Sequence, residues 1–182
     1  MIPGFYYFPN VLSADLQESI GSFLDDPTRV WPSVSESANA RKVMQFGFGY
    51  SYKHKDLVKA DPFPDLILQL RDMIRGLDVV PDLPLNQCLI NRYLPSQGIS
   101  AHTDSLTFMD FICCYTVGSG AEMEFTKGDS VVKVYVEPGS LYIMSGECRY
   151  DWKHEMRARK SDRVNGKSVV REVRTSITFR SV

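Results

Sequence analysis

The strongest chemical signal in the chain is the pair His102-x-Asp104. On an extended strand, residues two apart project from one face, so an imidazole and a carboxylate at this spacing can grip one ion. A second imidazole from elsewhere would complete two nitrogens and one carboxylate on one side of a metal. Three positions then stay open opposite, the arrangement that suits a non-haem Fe(II) centre. The chain holds three histidines, His54, His102 and His154. His54 sits in the polar stretch Lys53-His54-Lys55-Asp56 and reads as solvent-exposed and without a role. His154 follows the apolar run Leu141–Ser145 and can enter from a later strand. Alone, H-x-D is common, and a single histidine at a strand end is more often just hydrogen-bonded. The metal reading rests on what accompanies them.

The C-terminal run Arg174-Thr175-Ser176-Ile177-Thr178-Phe179-Arg180 is that company. On a strand, Arg174 and Arg180 share a face with their Cα atoms roughly 20 Å apart. Two guanidinium forks leaning toward each other suit a short dicarboxylate, held by charge-assisted, bidentate hydrogen bonds beside the metal. The same arginines could equally be exposed edge residues. Asn91 and Tyr93 share a face in phase with Leu89, and a carboxamide and a phenol there can bond the same acid. They fit the polar face of any sheet as well. The order H-x-D, distant His, Arg-x5-Arg is what binds the pieces together.

These residues need a scaffold. With 182 residues, 43% of them hydrophobic, the chain can bury one substantial core. A net charge of −1 gives no whole-molecule attraction to nucleic acid, so a binding surface would be a local patch. The four cysteines form no C-x-x-C, and Cys113-Cys114 lie in an apolar run, which suits buried reduced thiols rather than a disulfide framework. No basic leader, long apolar leader or membrane-length apolar stretch is found, so a soluble, intracellular, monomeric protein is expected. Phe5–Phe8 reads as a short strand. Ser13 offers an N-cap to a helix with Leu16, Ile20, Phe23 and Leu24 at helical spacing, ended by Asp26-Pro27. A second helix opens at Pro64 and stops at Gly76. Strands are expected over 86–94, 108–117, 121–125, 131–136, 141–145 and 170–180, with Asn165-Gly166 a strong turn signal. In the run 43–52, Phe46, Phe48, Tyr50 and Tyr52 would share one face, either as core packing or as a surface on which a base stacks. The expected fold class is α+β, mainly β. It is a double-stranded β-helix (jelly roll) core with N-terminal helices packed on one sheet and a nucleotide-recognition lid.

With Asn91-Arg92-Tyr93, His102-Thr103-Asp104, His154 and Arg174–Arg180 in place, the sequence resembles the AlkB family of Fe(II)- and 2-oxoglutarate-dependent dioxygenases. Gly146-Glu147-Cys148-Arg149-Tyr150 is similar to the family's segment before the distal histidine, and the resemblance covers most of the chain. It implies a single catalytic domain over 1–182, with an extension and lid up to about residue 85 and the jelly-roll core beyond. It implies His102, Asp104 and His154 as iron ligands, and Asn91, Tyr93, Arg174, Ser176 and Arg180 as the 2-oxoglutarate site. Ser176 stands where the family often has Asn. The cofactors implied are Fe(II), 2-oxoglutarate and O2.

The resemblance also implies a nucleic-acid substrate: single-stranded DNA, RNA or tRNA. Oxidative demethylation of N-alkylated bases is the first expectation. Hydroxylation of a tRNA wobble-uridine side chain is the alternative, because several segments are similar to the AlkB domain that performs it. A protein or small-molecule hydroxylase, or an inactive interaction module, would use the same scaffold. Base recognition is expected in Arg41–Lys55, through Gln45, Phe46, Tyr50 and Tyr52, with Arg149 as a further contact. The cation-rich stretch Arg157–Arg174 either meets phosphates or forms a plain solvated hairpin.

Overall fold

A computed structural model describes residues 1–37, 40–51, 54 and 56–182. The N-terminal helix α1 spans Ala14–Asp25, and Ser13 caps it by accepting the Leu16 N–H at 3.2 Å. Helix α2 spans Asp65–Arg75, entered at Pro64, and the Gly76 N–H closes its end on the Asp72 carbonyl at 3.1 Å. Both helices place their apolar stripes, Ile20 and Leu24 of α1 and Ile67, Leu70 and Ile74 of α2, into one core.

The strands in chain order are β1 (Phe5–Phe8), β2 (Lys42–Ser51), β3 (Asp56–Lys59), β4 (Gln87–Tyr93), β5 (Ile99–His102), β6 (Ile112–Gly118) and β7 (Ala121–Lys127). They continue as β8 (Ser130–Val136), β9 (Leu141–Met144), β10 (Lys153–Met156), β11 (Ser161–Val164), β12 (Lys167–Val170) and β13 (Arg174–Arg180). A short helix α3, Gly146–Tyr150, links β9 to β10. The larger sheet runs β1-β9-β6-β13-β4-β2-β3 and the smaller β5-β10-β7-β8, with β11-β12 a separate hairpin. Every pairing within these sheets is antiparallel.

The period of two along β13 and β4 separates the two faces of the larger sheet. Ile177 and Phe179 of β13, with Cys88 and Ile90 of β4, pack under the helices. The other phase looks toward the smaller sheet, where Tyr93, Ile112, Cys114, Tyr142 and Met144 meet Ala121, Met123, Phe125, Val136 and Met156. Helices on one face and a second sheet on the other make this the jelly roll expected from the sequence.

Several local expectations need correction. The strand expected from residue 108 begins at Ile112, because the Phe108 N–H is turned back onto the Ser105 carbonyl at 3.1 Å. The expected strand 170–180 is divided: Val170 ends β12 and β13 starts at Arg174. β5, β10 and β3 are four-residue strands whose apolar pattern is too short to declare them. The aromatic stripe of β2 does not share a face. Gly47 adopts φ +75°, and a Cβ there would stand 2.1 Å from the Asn86 carbonyl oxygen, so the strand twists at this point. Phe46 is consequently buried in the helix-side core, Phe48 is exposed, and Tyr50 turns to the cavity. Tyr52 lies outside the described residues.

Candidate metal and co-substrate site

The two sheets enclose a cavity of about 500 Å³. It is lined by His102, Asp104 and His154, by Asn91 and Tyr93 of β4, and by Arg174, Ser176, Thr178 and Arg180 of β13. Register explains the convergence. Arg174 pairs with Tyr93 and Ser176 with Asn91, so the polar residues of both strands stand side by side on one face. On the smaller sheet, His154 lies directly opposite His102 across β10 and β5, and their rings are 4.4 Å apart, centroid to centroid. β5 ends at His102, so Asp104 is delivered by the loop after the strand and not by the strand itself.

The protonation states suit ligand roles. His102 Nδ1 is 2.8 Å from the Ser100 carbonyl. A carbonyl can only accept, so Nδ1 carries a proton, which leaves Nε2 as the nitrogen to face a metal. Such a partner on the second nitrogen is what fixes a metal-binding imidazole. Burial lowers the pKa of His154 to about 4, against the raising effect of Asp104. It is neutral at physiological pH, so its approach to Asp104, Nε2 to Oδ2 at 3.7 Å, is two donors facing one space and not an ion pair. Burial alone would raise the Asp104 carboxyl, but Arg180, then the two histidines and Arg149, hold it below the usual carboxylate range. Asp104 gives its other oxygen to Arg180. In that orientation no three His, Cys, Asp or Glu side chains among the described residues already form a closed metal-holding group. The donor set itself, two imidazoles and one carboxylate held in its ionised form, fits Fe(II).

The arginines differ in what they hold. Arg180 pairs with Asp104, lies 4.6 Å over the Phe108 ring and reaches Gln87 at 3.5 Å. Arg174 is buried, donates to Thr116 at 3.2 Å and lies 5.7 Å from the Tyr93 ring centroid. Among the described residues no carboxylate stands within ion-pair distance of Arg174. The Nε atoms of Arg174 and Arg180 are buried without hydrogen-bond partners. A buried guanidinium lacking a counter-ion is costly. A carboxylate ligand would remove that cost, and 2-oxoglutarate is an acid of the required kind.

The expected substrate contacts fare unevenly. Gln45 is committed to its own strand: its Oε1 accepts the Tyr50 N–H at 2.6 Å and its Nε2 donates to the Tyr50 carbonyl at 3.1 Å. Tyr50 lines the cavity, its ring 5.7 Å from Phe108. Arg149 is 1% exposed and does not line the cavity, so it is no substrate contact. Its side chain instead donates to three main-chain carbonyls beside Asp104. Arg41 was passed over singly in the sequence, yet it lines the cavity and donates to Asn91 Oδ1 at 2.8 Å across a separation of fifty residues. That separation gave no signal. Of the cations in Arg157–Arg174, Arg157, Arg159 and Arg171 are spent on Glu124, Glu122 and Asp162. Lys160, Arg163 and Lys167 remain exposed.

Over residues 4–180 the sequence matches the 2OG-Fe(II) oxygenase superfamily. Protein L905 of Acanthamoeba polyphaga mimivirus is 37% identical over 73% of this chain and 68% of its own length. A macaque protein, tRNA (carboxymethyluridine(34)-5-O)-methyltransferase ALKBH8, is 29% identical over 99% of this chain. That match takes up only 30% of the macaque protein. The solved structure of OsALKBH1 superposes with a TM-score of 0.72 at 19% identity, covering 100% of this chain and 98% of that one. The chain belongs to the 2OG-Fe(II) oxygenase superfamily, in its AlkB branch. It is a dioxygenase, and the cofactors of its family are Fe(II), 2-oxoglutarate and O2.

Proposed function

We propose that this chain oxidises a base held in a single strand of nucleic acid. Its iron would be held by His102, Asp104 and His154 and its 2-oxoglutarate by Arg174, with Asn91, Tyr93, Ser176 and Arg180 around the acid. The observation that carries the reading is the meeting, in one cavity, of two facing imidazoles, an ionised aspartate and a buried arginine without a counter-ion among the described residues. When bound, the Fe(II) centre would use O2 and 2-oxoglutarate to hydroxylate a C–H bond of the substrate. The chain's own part is positional. Arg174 draws the acid to the buried end of β13, Arg180 keeps Asp104 ionised, and Phe108, Ile112 and Met144 supply apolar wall that limits water. Residues 1–85 would carry the lid and 86–182 the catalytic core.

Between the two outcomes anticipated from the sequence, the weights reverse. Hydroxylation of a tRNA wobble-uridine side chain now stands ahead of N-demethylation. The likeness to a protein named for tRNA carboxymethyluridine runs along nearly the whole chain. Arg41 also puts a cation on the cavity wall, which suits an acidic side chain and is of no use to a methyl group. The deciding experiment is mass spectrometry of nucleic acids incubated with the protein, Fe(II), ascorbate and 2-oxoglutarate. Its panel holds tRNA with a modified wobble uridine, and single-stranded DNA and RNA carrying 1-methyladenine or 3-methylcytosine. Gain of one oxygen on the tRNA is the expected result. Loss of a methyl group from the oligonucleotides would restore demethylation, and succinate formation with no nucleic acid altered would overturn the substrate class.

A further inference from the structure

We propose that Arg149 is a positioning residue for the metal site, acting on Asp104 through the main chain of the loop that carries it. Among the described residues Arg149 heads the large side chains that are fully buried. Burial lowers its pKa, with Asp104 opposing the shift. Such a burial needs return in hydrogen bonds, and they all go to one loop. Nη1 donates to the Asp104 carbonyl at 3.0 Å, and Nη2 donates to the carbonyls of Ser105 at 2.7 Å and Phe108 at 3.2 Å.

Those acceptors have no other strand to hold them. β5 stops at His102 and β6 starts only at Ile112, so Asp104 lies in irregular chain. A carboxylate on such a loop needs an external fix to stand against His154, and the guanidinium fork supplies it from across the cavity wall. The loop's other ties are the Ser105–Thr107 bonds, the Phe108 N–H to the Ser105 carbonyl at 3.1 Å, the Met109 N–H to the Ser181 carbonyl at 2.9 Å, and the Asp104–Arg180 ion pair, which holds the side chain of Asp104 and not its main chain.

The position of Arg149 in the chain gives the tether a second consequence. It stands on α3, five residues before His154, and the same helix fixes its own start by donating the Gly146 N–H to Asp110 Oδ1 at 2.7 Å. α3 is itself anchored to the N-terminus through the Cys148 N–H to the Pro3 carbonyl at 3.0 Å. One rigid turn thereby sets the approach of His154 and the placement of Asp104, two ligands fifty residues apart in sequence. Lysine cannot replace this function. It carries the charge, but a single ammonium group lacks the planar fork that spans three carbonyls.

The test reads metal binding and not turnover. Co(II) is titrated into the metal-free protein without 2-oxoglutarate, following the visible ligand-field bands, for wild type, Arg149→Lys, Arg149→Met and Cys148→Ala. The last removes a buried thiol from the same turn and serves as the control for general loosening. Both arginine variants should weaken Co(II) binding at least about tenfold, the size of effect seen when outer partners of metal ligands are removed. Their ligand-field bands should also change shape, while Cys148→Ala stays within about twofold of wild type. Should Arg149→Met fail to fold, Arg149→Lys, which keeps volume and charge, decides alone. Wild-type affinity in Arg149→Lys, or an equal loss in Cys148→Ala, would overturn the proposal.

Discussion

At the scale of single residues, the site works by leaving some charges matched and one unmatched. Asp104 has Arg180, and among the described residues Arg174 has no acid within ion-pair distance. Arg174→Ala should therefore raise the Kd for 2-oxoglutarate by about ten- to a hundredfold, the loss of one charge-assisted hydrogen bond at about 1.5–3 kcal/mol. Metal binding should persist, since Arg174 touches no expected ligand; calorimetric titration checks both. The histidine makes a pH prediction. His154 titrates near 4 in the native state and near 6.5 when unfolded. Between those values the unfolded chain binds a proton that the native chain does not, so stability falls as pH drops from about 6.5 to 4. Asp104, held low, extends the loss further into acid as its carboxylate protonates and releases Arg180. The thermal midpoint of the metal-free protein should be lower at pH 5 than at pH 7, and His154→Gln should flatten that difference. A midpoint that holds steady or rises on acidification would contradict the assignment.

At the scale of elements, the site depends on short strands meeting in register. Gly98 enters β5 where a Cβ would lie 2.2 Å from the Met156 carbonyl oxygen. Gly98→Ala should push β5 from β10 and separate His102 from His154. The expected signs are a clearly lower thermal midpoint and weaker Co(II) binding, measured together. The long elements and the apolar four-residue strands β1 and β9 are legible in the sequence, and the short strands β3, β5 and β10 are not. Ser13, Pro64 and Gly76 marked both helices, and the alternation in β4 and β13 put Asn91, Tyr93, Arg174 and Arg180 on one face. The His102 and His154 pairing stayed hidden because β5 and β10 each have four residues and draw their stability from neighbours rather than from pattern. Phe46 was misplaced because a period of two cannot foresee the twist at Gly47. Arg149 is expected from the sequence as a substrate contact, since nothing local announces that its acceptors lie more than forty residues away.

At the scale of the whole molecule, helices on one face of the larger sheet leave the other face free to build a cavity with the smaller sheet. None of the helices is long and apolar enough to cross a membrane among the described residues. Net charge is −1, so attraction for a polyanion must be local. The exposed Lys160, Arg163 and Lys167 lie on or beside the β11–β12 hairpin, which a buried Arg171–Asp162 pair closes and which Asp162 ties to β7 by accepting the Glu122 N–H at 3.2 Å. Changing all three to Gln should lower the salt dependence of single-strand binding by about two in log–log slope, at about 0.7 per phosphate contact. Fluorescence anisotropy at several salt concentrations measures this, and an unchanged slope would assign phosphate contact elsewhere. The central claim is that His102, Asp104, His154 and Arg174 together hold the iron and its co-substrate. Its most direct test is anaerobic addition of Fe(II) and 2-oxoglutarate, watching for the visible charge-transfer band of an Fe(II)–2-oxo acid chelate. The band should form in the wild type, vanish in Asp104→Ala, and in Arg174→Ala return only at much higher 2-oxoglutarate. A full band at wild-type concentrations in Asp104→Ala would contradict the account.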